Sequence, residues 1–204
     1  MAQFFMKYLI TIRHEKHKNN ILAPETIADC KNRGAKLLVE LKNRQIALPS
    51  LAISSNLSRA VDTLKCILDG MNLNLPISEY EEFSDYRSGK FPYTEEEFNS
   101  AVLAGKKNSD TEYEKYLLFL YPEKSKLRAE ESIKVLNKII ANCNGNIIFC
   151  SHGCSRLEQI ISVLQNKPVN QPNFIFERGG IALLGFSDHA EPELLSVEYM
   201  GLLD

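Results

Sequence analysis

Tyr8-Leu9-Ile10-Thr11-Ile12-Arg13-His14-Glu15 is a short, β-branched apolar run that stops abruptly at an arginine and a histidine. A run of this length and composition reads as a strand covered on both faces, as in a parallel sheet. Open α/β sheets bind their ligands just beyond the carboxyl ends of such strands. Arginine and histidine there are the residue types that grip a phosphate and attack it. A planar guanidinium matches phosphate oxygens, and a neutral imidazole is a nucleophile.

Working outward, Lys16 to Asn20 form a polar loop, followed by a helix expected from about Pro24 to Arg44 with Pro24 and Glu25 as its start signals. A second strand is expected at Leu51–Ser55 and a second helix over Leu57–Leu68, stopping at Gly70. An edge-like segment follows at Leu75–Tyr80. The pattern loosens from Glu81 to Lys126, with helices expected near Thr94–Leu103 and Thr111–Leu120. This stretch reads as an excursion from the sheet, a helical cap over residues of about 86–126, with Tyr113, Tyr116, Phe119 and Tyr121 as its packing face. Order returns with a helix from about Arg128 to Ala141, the strand Asn146–Cys150, the turn Ser151-His152-Gly153 and a helix over Arg156–Gln165. Two further strands are expected at Gly180–Phe186 and Leu194–Tyr199. Strand–helix alternation over most of the 204 residues predicts one α/β domain, a three-layer sandwich with a mostly parallel central sheet.

Composition sets the company this fold keeps. A net charge of −2 and the lack of a basic groove argue against nucleic acid or an anionic membrane as partner. No apolar stretch reaches membrane-spanning length, and Met1–Lys7 lacks the order of a signal peptide. Five cysteines without framework spacing suggest free thiols, so a cytoplasmic protein is expected.

Four signals stand in fixed order: Arg13-His14; Ser55-Asn56-Leu57-Ser58-Arg59-Ala60-Val61-Asp62-Thr63; the acids from Glu79 to Asp85; and Ser151-His152-Gly153. In this order the sequence resembles the histidine phosphatase superfamily, the phosphoglycerate mutase-like fold. The resemblance implies that His14 is a nucleophile forming a phosphohistidine, with its other nitrogen bonded to a backbone carbonyl. It implies that Arg13 and Arg59 clamp the phosphate, that His152 donates to the developing charge, and that Asn20 helps to bind the anion. A single carboxyl can protonate the leaving oxygen and later deprotonate water. Glu82, in Tyr80-Glu81-Glu82, resembles the family's acid; Glu81 and Asp85 are alternatives. The activity implied is metal-independent and cofactor-free hydrolysis of a small phosphorylated substrate or a phosphoprotein, with mutase-type transfer second. Arg87, Lys90, Lys106 and Lys107 are candidates to reach a second anionic group or to face solvent.

Two features depart from this picture. Glu15-Lys16-His17 stands where the family carries Gly-Glu/Gln-Ser/Thr, so Glu15 has to turn its side chain away from phosphate; a catalytically inactive phospho-ligand binding protein is the corresponding alternative. Cys150-Ser151-His152-Gly153-Cys154-Ser155-Arg156 is also a Cys-x5-Arg pattern between a strand and a helix, the layout of a cysteine-dependent phosphatase loop using Cys150 and Arg156. A metal site from Cys150, His152 and Cys154 matches no zinc spacing.

Overall fold

The computed structural model describes residues 6–17, 22–85, 93–108, 114–153 and 156–203. The opening run becomes β1 (Met6–Arg13), buried from Leu9 onward. It lies in the middle of a six-stranded sheet with β2 (Pro49–Ser55), β3 (Ile77–Tyr80), β4 (Asn146–Ser151), β5 (Ile181–Ser187) and β6 (Leu194–Gly201), in the order β3-β2-β4-β1-β5-β6. The first four of these run parallel, whereas β5 pairs antiparallel with both β1 and β6. The sheet is therefore mixed, with β5 as the reversed strand.

Helices cover both faces because the strands are apolar on both. One layer buries Ile10, Ile12, Ile148 and Cys150 against α1 (Pro24–Asn43) and α2 (Ser58–Gly70), through Leu37, Leu41, Leu64 and Ile67. The other buries Leu9, Ile53, Ile147 and Phe149 against α5 (Pro122–Asn142) and α6 (Leu157–Leu164), through Leu136, Ile140, Ile160 and Ile161. Among the described residues no helix is long and apolar enough to cross a membrane.

The excursion carries α3 (Glu95–Lys107) and α4 (Glu114–Leu120). Thr94 and Glu97 form a reciprocal cap at the start of α3, satisfying two backbone N–H groups. Tyr93, Ala101 and Leu117 make a small core there, joined by Phe98, Tyr116 and Tyr121. Phe119 is 56% exposed and does not share that packing face, and Tyr113 lies outside the described residues. Helix α5 begins at Pro122, well before the expected Arg128, because proline at the first helical position needs no N–H partner and Glu123 complements the helix dipole.

This topology positions the site. β4 inserts between β1 and β2, pairing Arg13 with Ser151 and Ser54 with Cys150. The carboxyl ends of β1, β2 and β4 thus open at one edge of the sheet although they are far apart in the chain.

Candidate active site

At the end of β1 the backbone is held from both sides. His14 N–H donates to the Ser151 carbonyl at 2.9 Å, and Arg13 N–H donates to the Gly180 carbonyl at 3.0 Å. The His14 Nδ1 lies 2.8 Å from the Glu15 carbonyl. A carbonyl can only accept, so Nδ1 carries the hydrogen and Nε2 keeps its lone pair. Glu15 N–H donates to Thr63 Oγ1 at 3.0 Å, and that hydroxyl donates in turn to the Arg59 carbonyl at 2.7 Å. Thr63 therefore ties the loop that follows His14 to the helix carrying Arg59.

His152 follows β4 directly. Its ring centroid is 4.9 Å from that of His14, at an interplanar angle of 62°. Ser55, at the end of β2, shares a hydrogen bond of 2.9 Å with His152 Nε2. His152 Nδ1 is enclosed with no hydrogen-bond partner among the described residues. Burial, reinforced for His14 by His152, Arg59 and Arg13 and for His152 by Arg59 and Arg13, holds both imidazoles well below their ordinary pKa. Both are neutral near pH 7, the state in which an imidazole nitrogen keeps a lone pair.

Arg13 is buried and donates through Nη1 to the Phe176 carbonyl at 2.5 Å. Its guanidinium stem lies where a side chain at position 153 would stand, so Gly153 is required for the close approach. Arg59, from the first turn of α2, pairs with the Asp85 carboxylate. Glu15 does turn away: its carboxylate pairs with Arg33 of α1, both largely buried, in space left by Gly179.

The structure thus brings His14, His152, Arg13 and Arg59 together, and the carboxyl that joins them is Asp85. Glu82 is exposed on the 3-10 turn Glu81–Phe83, where it lines a small cavity of about 120 Å³ with Glu81, Glu131, Arg128 and Arg156. The physical reason is Phe83, which is fully buried against Phe149 and so turns its neighbour Glu82 out to solvent. Beyond Phe83 the chain is strapped down. Ser132 donates to the Glu82 carbonyl, Ser151 to that of Phe83, Arg156 to that of Ser84, and Arg128 to those of Ser84 and Asp85. Arg156 is thereby committed to the strap, and Cys150 is fully buried in the core with its thiol pushed up by burial. Neither is arranged as a thiolate in a phosphate loop. Lys106 and Lys107 are exposed; Asn20, Arg87, Lys90 and Cys154 lie outside the described residues.

Sequence reasoning did not single out Ser55 and Thr63 as positioning groups, although both stand inside the motif around Arg59. It also passed over the strap from Arg128 and Ser132, whose spacing of four residues puts both on one helix face.

A family profile, that of the histidine phosphatase superfamily (branch 1), matches residues 31–197. The match covers most of the chain but begins after the β1 strand and His14. No curated protein sequence matches this chain. Among solved structures, the chain is similar to a phosphoglycerate mutase from Bacillus anthracis, with a TM-score of 0.65 at 16% identity over 98% of this chain and 95% of the other. It is also similar to a phosphoserine phosphatase from Entamoeba histolytica, with a TM-score of 0.58 at 20% identity over 97% and 100% of the two chains. A mycobacterial glucosyl-3-phosphoglycerate phosphatase gives a TM-score of 0.60 at 14% identity, over 95% and 97%.

Proposed function

The chain belongs to the histidine phosphatase superfamily, and from that premise we propose that it is a phosphomonoester hydrolase working through a phosphohistidine on His14. The observation that carries the proposal is the pair of buried, neutral imidazoles 4.9 Å apart, flanked by Arg13 and Arg59. His14 Nε2 attacks phosphorus while the P–O bond to the leaving group breaks on the opposite side. Arg13 and Arg59 hold the equatorial oxygens in planar forks. With Ser55 donating to its Nε2, His152 presents Nδ1–H to the charge that builds on those oxygens. Asp85, beside Arg59, gives the leaving oxygen its proton and recovers one from the water that hydrolyses the phosphohistidine. The two guanidiniums supply the positive charge, so the step proposed needs no metal. The excursion carrying α3 and α4 serves as the cap that selects the leaving group, within a single domain.

With an aryl phosphate such as p-nitrophenyl phosphate, His14→Ala is expected to abolish phosphate release while Cys150→Ser keeps most of it. The reverse result establishes the cysteine mechanism. No turnover by the wild type on a broad panel of sugar, nucleotide and protein phosphates leaves a binding protein. The similarity to a mutase supports a second reading, phosphoryl transfer between two positions of one acid. Isomer formation from a phosphorylated hydroxy acid, in place of inorganic phosphate release, decides for it.

A further inference from the structure

Hydrolysis through His14 and His152 leaves a third imidazole at this edge of the sheet unused. His17 stands three residues beyond the nucleophile, its ring centroid 5.3 Å from that of His14 at an interplanar angle of 67°. The nucleophile's ring is therefore flanked on one side by His152 and on another by His17. His17 is half-buried, and its Nδ1 is enclosed without a hydrogen-bond partner among the described residues. A polar atom in that condition is costly unless a ligand or water meets it.

The charged and titratable groups facing His17 come from every side of the site. They are Arg59 of α2, Arg178 before β5, Asp85 at the end of the strap, His14 after β1 and His152 after β4. In the free site, burial first and then Arg59 and Arg178 favour the neutral ring, with Asp85 opposing them. A tetrahedral dianion clamped by Arg13 and Arg59 beside His14 changes the sign of that balance. It places two negative charges next to the ring and offers its Nδ1 an acceptor.

We propose that His17 is a third imidazole of the phosphoryl site, which takes up a proton as a tetrahedral dianion binds and holds one of its oxygens through Nδ1–H. The inference rests on reading the cluster as a phosphate site but does not depend on turnover. It gives the protein an acid-favoured affinity for its substrate class, set by a residue standing where the family carries serine or threonine.

Sulfate is the probe, because it stays a dianion from pH 5 to pH 8 while phosphate itself titrates. Calorimetric titration of the intact chain is expected to show affinity rising by up to about tenfold per pH unit as the pH falls, with close to one proton taken up. Two buffers of different ionisation heat measure that uptake. His17→Asn should flatten the profile at the weak, high-pH level, and His17→Arg should flatten it at the tight level. The idea fails if the wild type binds sulfate independently of pH or not at all, or if His17→Asn keeps the wild-type slope. His14→Ala should keep the slope while losing hydrolysis. A slope without any turnover therefore removes the hydrolase reading alone, and turnover without a slope removes this one alone.

Discussion

Glu15 stands where the resemblance drawn from the sequence implies a glycine, and its ion pair with Arg33 shows how a carboxylate is accommodated there. A carboxylate beside a phosphate site repels the ligand, so it is neutralised and turned beneath Gly179. Removing one partner leaves the other charge buried. Arg33→Met is therefore expected to destabilise the fold by about 3 kcal/mol, whereas Glu15→Gln with Arg33→Met should recover more than half of that loss. Paired urea titrations of the two variants measure the difference. At the same scale, Asp85→Asn should lower kcat by about two to four orders of magnitude and Glu82→Gln should leave it within about twofold. Steady-state kinetics on an alkyl phosphate separate them; equal losses at both positions overturn the assignment. The choice between these carboxyls was not legible from the acids themselves, which are alike in sequence. The legible signal was Phe83, an aromatic that has to be buried and so decides which flanking acid faces out. The convergence of Arg13, His14, Arg59 and His152 could be read because each ends or follows a strand or lies in the first turn of a helix beside one. The position of His17 beside His14 could not, because it depends on which side the loop after β1 turns.

At the scale of elements, the strap at residues 82–85 is a piece of irregular chain made rigid by neighbours. Four side chains, from α5, from β4 and from the residue capping α6, occupy its successive carbonyls. Backbone carbonyls in a buried loop need such donors, and the donors at the same time fix where Asp85 stands. Arg156→Met should thus misplace Asp85, the proton donor proposed above, without touching His14. A misplacement of about 1 Å can cost on the order of a hundredfold. The expected loss in kcat is large for an alkyl phosphate and small for p-nitrophenyl phosphate, whose leaving group departs without help. A loss of equal size on both esters means that Arg156 acts elsewhere. Element positions were readable wherever punctuation was strong, as at Pro24 and Thr94. The start of α5 at Pro122 is hidden in the sequence because Tyr116 to Tyr121 look like the packing face of the cap. The direction of β5 was not readable at all: a strand buried along its whole length has the same pattern whichever way it runs.

The whole molecule stores two uncharged imidazoles in its interior, and this links the chemistry to stability. Because the folded pKa values of His14 and His152 are lowered, the unfolded chain binds more protons than the native one in acid. Their contribution is fully present above the unfolded value of 6.5 and is lost as the pH falls below it. Each ring withdraws about 1.4 kcal/mol per pH unit below that point until its folded pKa is reached. The melting temperature should therefore fall between pH 7.5 and pH 5.5 by at least about 5 °C, taking 2–4 °C per kcal/mol for a chain of this size. His152→Asn should melt lower at pH 7.5 yet lose less on acidification, since one of the two rings is gone. Sulfate binds only the folded site and should restore part of the loss. Scanning calorimetry across this range tests the charge state of His14 and His152 without any substrate. A melting temperature that does not change with pH means that the rings titrate in the native state as they do in the unfolded chain, and one that rises on acidification means that they are held protonated there, which leaves His14 no lone pair with which to attack phosphorus.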